Sequence, residues 1–133
     1  IAAVLAAARQ LGRPIVVAFQ PHRYSRTKAL MDAFGPSLAG AARVMLTGIY
    51  AAGEDPIAGI TLDALAARVR AQLAVPVDVV PALADVAPAL ARVVQAGDVV
   101  IPLGAGSIAS VPDQLIALLA SRDRASQRTG AAS

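Results

Sequence analysis

Apolar residues recur along this chain in two rhythms. Short apolar runs at Ile15 to Phe19, Val44 to Leu46, Val77 to Val80 and Val99 to Ile101 have the length of strands. The first is apolar throughout, the pattern of a strand covered on both faces. Between them the spacing changes to three and four, the helical period. Leu30, Phe34 and Leu38 predict one helix with one buried stripe, and Leu62, Leu65, Val69 and Leu73 a second that Thr61 can cap. Leu83, Val86, Leu90, Val93 and Val94 predict a third, with Pro88 delaying its regular part to about Asp85.

The ends fit the same scheme. Residues 1–11 are alanine-rich and unbroken until Gly12-Arg13-Pro14, which predicts a helix and then a turn. Ser110-Val111-Pro112-Asp113 has the spacing of a capping box, with Asp in place of Glu, and opens a last helix that turns Leu115, Ile116 and Leu119 inward. Arg122 to Ser133 is polar and aperiodic, and is expected to be a flexible basic tail on a domain of residues 1–121.

Strands alternating with helices predict right-handed crossovers and an α/β fold. The expected architecture is a Rossmann-like parallel sheet of about four strands in the order 3-2-1-4, with helices on both faces. That order sets strands 1 and 4 side by side where the winding reverses. Ligands of open sheets bind beyond the strand C-termini at that point. The loops there are Gln20 to Thr27 and Gly104 to Ser107, with Gly48 to Pro56 alongside.

Composition narrows the function. A chain of 133 residues holds one core, and its 56% of hydrophobic residues, rich in alanine with 3% aromatics, builds that core from small side chains. No 18-residue apolar run suggests a membrane span, so no membrane partner is expected. Cysteine is absent, which fits a reducing cytoplasm and excludes thiolate chemistry. The net charge of +3 arises mostly in the tail, where three Arg meet one Asp; the rest has nine basic and eight acidic residues. With two Tyr, two Phe and no Trp, little is available for bases to stack on, and nucleic acid is not an expected partner. The chain opens at Ile1 within a helical pattern, so it is expected to belong to a longer protein.

One segment stands apart. Phe19-Gln20-Pro21-His22-Arg23-Tyr24-Ser25-Arg26-Thr27 places the only His and two Arg between a strand and a helix expected to begin near Ser25. Backbone N–H groups at a helix start already carry about half a positive charge. Arg23, Arg26 and Lys28 add to it, with no acid before Asp32. The conflict is relieved if an anion binds there. Arg forks match carboxylate oxygens in pairs, so Arg23 and Arg26, with His22, are the candidate anion ligands.

Two further loops border that edge. Gly104-Ala105-Gly106-Ser107-Ile108-Ala109 matches G-x-G-x-x-A, but it follows the last strand, so a close-approach loop is a better reading than a dinucleotide fingerprint. Tyr50-Ala51-Ala52-Gly53-Glu54-Asp55-Pro56 is longer than a plain connection needs, and its small residues suit either a small pocket or a surface turn. No Ser/His/Asp order, carboxylate pair, metal-ligand cluster or G-x-x-x-x-G-K-[S/T] phosphate loop stands out. The expected contribution is positioning and charge, with no catalytic residue and no metal ligand. A free-standing anion- or nucleotide-binding module and a partner-docking domain remain open alternatives.

The run Val17 to Thr27, the loop Tyr50 to Pro56 and Gly104 to Ser107 together resemble the third, C-terminal domain of the Mur ligases, in particular the branch that joins L-alanine to UDP-N-acetylmuramate. The likeness covers about Ile1 to Leu119 with the motifs in family order. H-R-Y-S-R is its most specific part, since sister ligases differ there and murein-peptide recycling ligases usually depart from it. The resemblance implies a three-domain, ATP-dependent enzyme of the cytoplasm and of peptidoglycan synthesis. In it, ATP, with Mg, activates the muramoyl carboxylate as an acyl phosphate, which the L-alanine amine attacks. It further implies that His22, Arg23 and Arg26 hold the L-alanine carboxylate. Tyr50, Ala51, Ala52, Gly53 and Glu54, with Gly104, Ala105, Gly106 and Ser107, would line the amino-acid pocket. The family's D-D-Y-x-H-H-P stretch, its phosphate loop and its UDP-binding residues are missing here. UDP-N-acetylmuramate and ATP are thus expected to bind through the missing N-terminal and central domains. The chain by itself is expected to carry no cofactor and no ligase activity.

Overall fold

Ile15–Phe19 forms β1, buried at every residue and paired on both sides in the computed structural model, which describes residues 1–104 and 106–131. Arg43–Thr47 (β2), Val77–Val80 (β3) and Val99–Leu103 (β4) complete an all-parallel sheet in the order β3-β2-β1-β4. Val17 lies opposite Val44 on one side and Ile101 on the other. This is the expected order, with β1 and β4 adjacent at the reversal. Pro102 lacks an N–H, which suits its place on the edge strand β4.

The two-residue period of the strands divides the core. Ile15, Val17 and Phe19 point to one face, where they meet Leu5 of α1 (Ala2–Arg9), Phe34 of α3 (Phe34–Ser37), and Leu65 and Val69 of α4 (Leu62–Gln72). Val16 and Ala18 point to the other face, against Val86 and Leu90 of α5 (Val86–Val93) and Val111 and Leu115 of α6 (Val111–Ala131). Helices therefore cover both faces. Thr61 caps α4 as expected, its Oγ1 accepting from the Ala64 N–H at 3.1 Å. Pro88 sits in the first turn of α5, where its missing N–H costs no helical bond. No helix among the described residues is long and apolar enough to cross a membrane.

Three local expectations are corrected. Leu30, Phe34 and Leu38 do not share one helix: α2 spans Tyr24–Leu30, and α3 begins after a turn. Pro36 is the cause, because it offers no N–H to the Asp32 carbonyl four residues earlier. The Gln72 amide donates to that carbonyl instead, at 3.1 Å. The buried residues of this stretch are Thr27, Met31, Phe34, Gly35 and Leu38, and Leu30 is left exposed.

The Ser110 capping box does not form: Ser110 ends the tight turn Ser107–Ser110, its hydroxyl donates back to the Ser107 carbonyl at 2.8 Å, and its oxygen accepts from the Gln114 amide at 3.3 Å. Finally, the polar segment beyond Ser121 continues α6 as helix to Ala131. Residues 122–131 hold no Pro, three Arg and two Ala, which favour helix, and Arg122 ties the start of the segment to the Ala91 carbonyl at 2.6 Å. Ala132 and Ser133 lie outside the described residues.

Candidate functional site

The C-terminal ends of β1, β2 and β4 carry the three loops singled out in the sequence, and backbone bonds tie them together. Beyond β1 and β2, His22 and Tyr50 form a further parallel bridge. The Tyr50 N–H donates to Pro21 O at 2.9 Å, and the Arg23 N–H donates to Tyr50 O at 2.7 Å. Relative to the strand register this bridge has one extra residue on the β2 side, which lets the chain turn over the sheet edge. The Tyr50 ring stacks on the His22 imidazole, with centroids 5.7 Å apart and planes 13° apart.

Gln20 ties the first loop to the third. It is buried, its N–H donates to Leu103 O at 2.9 Å, and its Oε1 accepts from the Ile108 N–H at 3.3 Å. Gly104, at φ +138°, lies so close that a Cβ would stand 2.5 Å from the Gln20 carbonyl oxygen. Gly106, at φ +93°, faces the Tyr50 ring across ordinary contact distance. The close-approach reading of this loop is what the backbone requires. Ala105 lies outside the described residues.

A cleft of about 390 Å³ opens beside this junction, within the size range of small-molecule sites. His22 and Arg26 line it together with Gln20 and Gly104, and Phe19, Leu30 and Phe34 are among its apolar lining. Of the expected anion ligands, His22 and Arg26 meet in this cleft, and Arg23 is not among its lining residues. Of the other expected residues, Gly104 is the only one among the described residues that lines it directly. Tyr50 reaches it through the stack on His22, and Ser107 starts the single turn Ser107–Ser110 behind Gly106.

Among the described residues, Arg23, Arg26 and Lys28 make no side-chain hydrogen bond or ion pair. Folding uses the Arg23 backbone: its carbonyl accepts from the Thr27 N–H at 3.1 Å and from the buried Thr27 hydroxyl at 2.7 Å. That backbone is held at φ 66°, ψ 145°, a region that disfavours any residue with a Cβ. Relief of this strain predicts that Arg23→Gly will be more stable than Arg23→Ala by about 1 kcal/mol in urea unfolding. Equal stability of the two would show that the backbone there is unstrained.

The charge conflict at the start of α2 has an internal answer that the sequence did not disclose. Glu54, 29 residues away, brings its carboxylate to Ser25: Oε1 accepts from the Ser25 N–H at 3.1 Å and Oε2 from the Ser25 hydroxyl at 2.5 Å. An anion does sit at this turn, and it is the chain's own carboxylate. The Ser25 hydroxyl first, then the Ser25 N–H, hold the Glu54 carboxyl below its ordinary pKa, with a smaller contribution from the charge of Arg23. A depressed carboxylate is bound above its unfolded pKa and released as pH falls through its folded one, so this bond is complete at neutral pH. Glu54 thus latches the loop after β2 onto α2.

Sequence reasoning also missed Gln20 as the buried tie between loops. Its signal was a polar amide placed directly after a fully buried strand. Among the described residues no group of three His, Cys, Asp or Glu is placed to hold a metal ion.

Comparison with known proteins places the chain in a family. Residues 1–106 match the family model described as "Mur ligase, glutamate ligase domain". A UDP-N-acetylmuramate–L-alanine ligase of Acidithiobacillus ferrooxidans is 51% identical over 116 residues, covering 86% of this chain and 25% of the relative. Ligases of the same name from Syntrophus aciditrophicus and Methylibium petroleiphilum are 44% and 46% identical over 120 and 121 residues, each covering 90% of the chain and 25% and 26% of the relative. The chain spans about a quarter of the length of these relatives. The match over most of its residues, on the sheet order and loop positions described above, means that the chain belongs to the Mur ligase family and corresponds to its C-terminal domain.

Proposed function

We propose that this domain serves an ATP-dependent ligase that joins L-alanine to UDP-N-acetylmuramate in peptidoglycan synthesis, and that it holds the carboxylate of the incoming amino acid. The observation that carries this reading is the pairing of His22 and Arg26 in one cleft, with their side chains engaged in no internal hydrogen bond or ion pair among the described residues. A guanidinium offers a carboxylate two parallel donors, which fixes its orientation as well as its position. Gripping L-alanine by its carboxylate leaves its amine free to face the acyl group it attacks. His22, steadied by Tyr50, supplies a second contact, and the exposed Arg23 next to it in the chain adds positive charge. The cleft exceeds what one alanine fills, which suits a domain that closes over a second reactant.

ATP and Mg²⁺ do not fit these residues as a resident pair. The sequence has no phosphate loop, and the described residues offer no cluster of metal ligands. We therefore assign both, with UDP-N-acetylmuramate, to other domains.

The test is phosphate release with ATP, UDP-N-acetylmuramate and L-alanine. The full-length protein containing this chain is expected to release phosphate only when all three are present. The 133-residue chain by itself should read background. Turnover by the isolated chain above a heat-killed control, or a full-length protein indifferent to L-alanine, would contradict the reading.

A further inference from the structure

The cleft has two chemically distinct parts, and the carboxylate of an amino acid uses only one of them. Among the described residues its lining holds no Asp or Glu, and its charge comes from Arg26, with His22 beside it. Arg26 and Leu30 stand one helical turn apart on α2, so the leucine is the next side chain along the same wall. Ala33 and Phe34 follow at the start of α3, and Phe19 packs against Phe34 with ring centroids 5.0 Å apart and planes tilted by 53°. That part of the wall is held in place before any ligand arrives. Leu30 is nevertheless 37% exposed, although Met31 beside it is buried. A cleft of about 390 Å³ with this lining suits a longer molecule than alanine, whose methyl group covers little of it.

We propose that the cleft is a site for apolar monocarboxylates, with the carboxylate on Arg26 and His22 and an unbranched apolar tail along Leu30, Ala33 and Phe34. This inference rests on the carboxylate reading above and extends it from the head of the ligand to its tail. A tail that displaces water from Leu30 and Phe34 gains by burying apolar surface. A polar tail of the same length gives up hydrogen bonds to water against side chains that offer none in return. The domain therefore selects for a carboxylate and for an apolar side chain, and does not itself set the upper size of that side chain. The limit that keeps the substrate to alanine falls to the domain that closes over the cleft.

The experiment is an amide NMR titration of the 133-residue chain with L-alanine, L-norleucine, L-glutamine and L-norleucinamide. L-norleucine is three methylenes longer than L-alanine and should bind about 4- to 15-fold more tightly, the gain from one to two methylenes removed from water in an open cleft. It should shift the amides of Leu30, Ala33 and Phe34 as well as those near His22 and Arg26. L-glutamine, of the same length, should bind no more tightly than L-alanine. Leu30→Ser and Ala33→Asn, both at exposed positions, should each cut the preference for L-norleucine over L-alanine to below about 3-fold. Equal affinities for L-norleucine and L-alanine, an equal gain with L-glutamine, or a preference that survives both substitutions would overturn the proposal. L-norleucinamide separates the two levels. If it binds as tightly as L-norleucine, the carboxylate reading fails and this inference with it; if it loses binding while the side-chain preference is absent, only the apolar extension fails.

Discussion

Arg26→Ala in the full-length enzyme should lower kcat/KM for L-alanine by roughly 10- to 150-fold. A charge-assisted hydrogen bond contributes about 1.5–3 kcal/mol, and the loss converts directly into that ratio. Arg26→Lys should recover only part of it, because an ammonium cannot present two parallel donors. Neither change should unfold the domain. The Arg26 side chain is exposed and has no internal partner among the described residues, and its removal lowers the repulsion among Arg23, Arg26 and Lys28. Steady-state kinetics with varied L-alanine, read beside thermal melts of the same variants, separates binding from folding. Normal kinetics in a destabilised protein would make Arg26 a structural residue.

Gly104→Ala should be the most damaging single methyl added to this edge. At φ +138° an L-residue is strained, and the new Cβ would press on the backbone oxygen of Gln20, which has no rotamer by which to yield. We expect a loss of about 2–4 kcal/mol and a melting temperature lower by about 10 °C. Gly106→Ala is the control: its φ of +93° is also unfavourable, but the nearest atoms are those of the Tyr50 ring at 3.7 Å. Its cost should stay near 1 kcal/mol. Equal melting temperatures for the two variants would mean that the contact between the first and third loops is not what fixes this edge.

The sheet was legible in the sequence because its strands are apolar runs alternating with helices, and 3-2-1-4 is the commonest order for such a unit. β1 needed nothing more than Ile15 to Phe19, buried throughout as that pattern requires. Local capping was less legible. Thr61 behaved as its spacing suggests, whereas Ser110 turned back to Ser107, since a Ser hydroxyl can serve either bond. The break between α2 and α3 was written in Pro36, but the stripe of Leu30, Phe34 and Leu38 concealed it.

At the site, the cation cluster and its position at the sheet edge could be read from neighbouring residues. The partners that shape it could not. Glu54 reaches Ser25 across 29 residues, Tyr50 reaches His22 across a bridge beyond the paired strands, and Gln20 reaches Ile108 across most of the chain. Such pairings exist only once the crossovers have brought the loops together, and no local periodicity encodes them.

The central claim, that this edge holds an amino-acid carboxylate, is tested most directly by an amide NMR titration of the 133-residue chain with L-alanine and with L-alaninamide. With one domain the cleft is half built, so a dissociation constant in the millimolar range is expected, near −4 kcal/mol. Binding should weaken with added salt, because the cations are exposed. L-alanine should shift the amides of His22 to Lys28 first and of Gly104 and Gly106 next, and L-alaninamide, which lacks the carboxylate, should leave them in place. Equal shifts with both ligands, or shifts confined to residues 122–131, would contradict the claim.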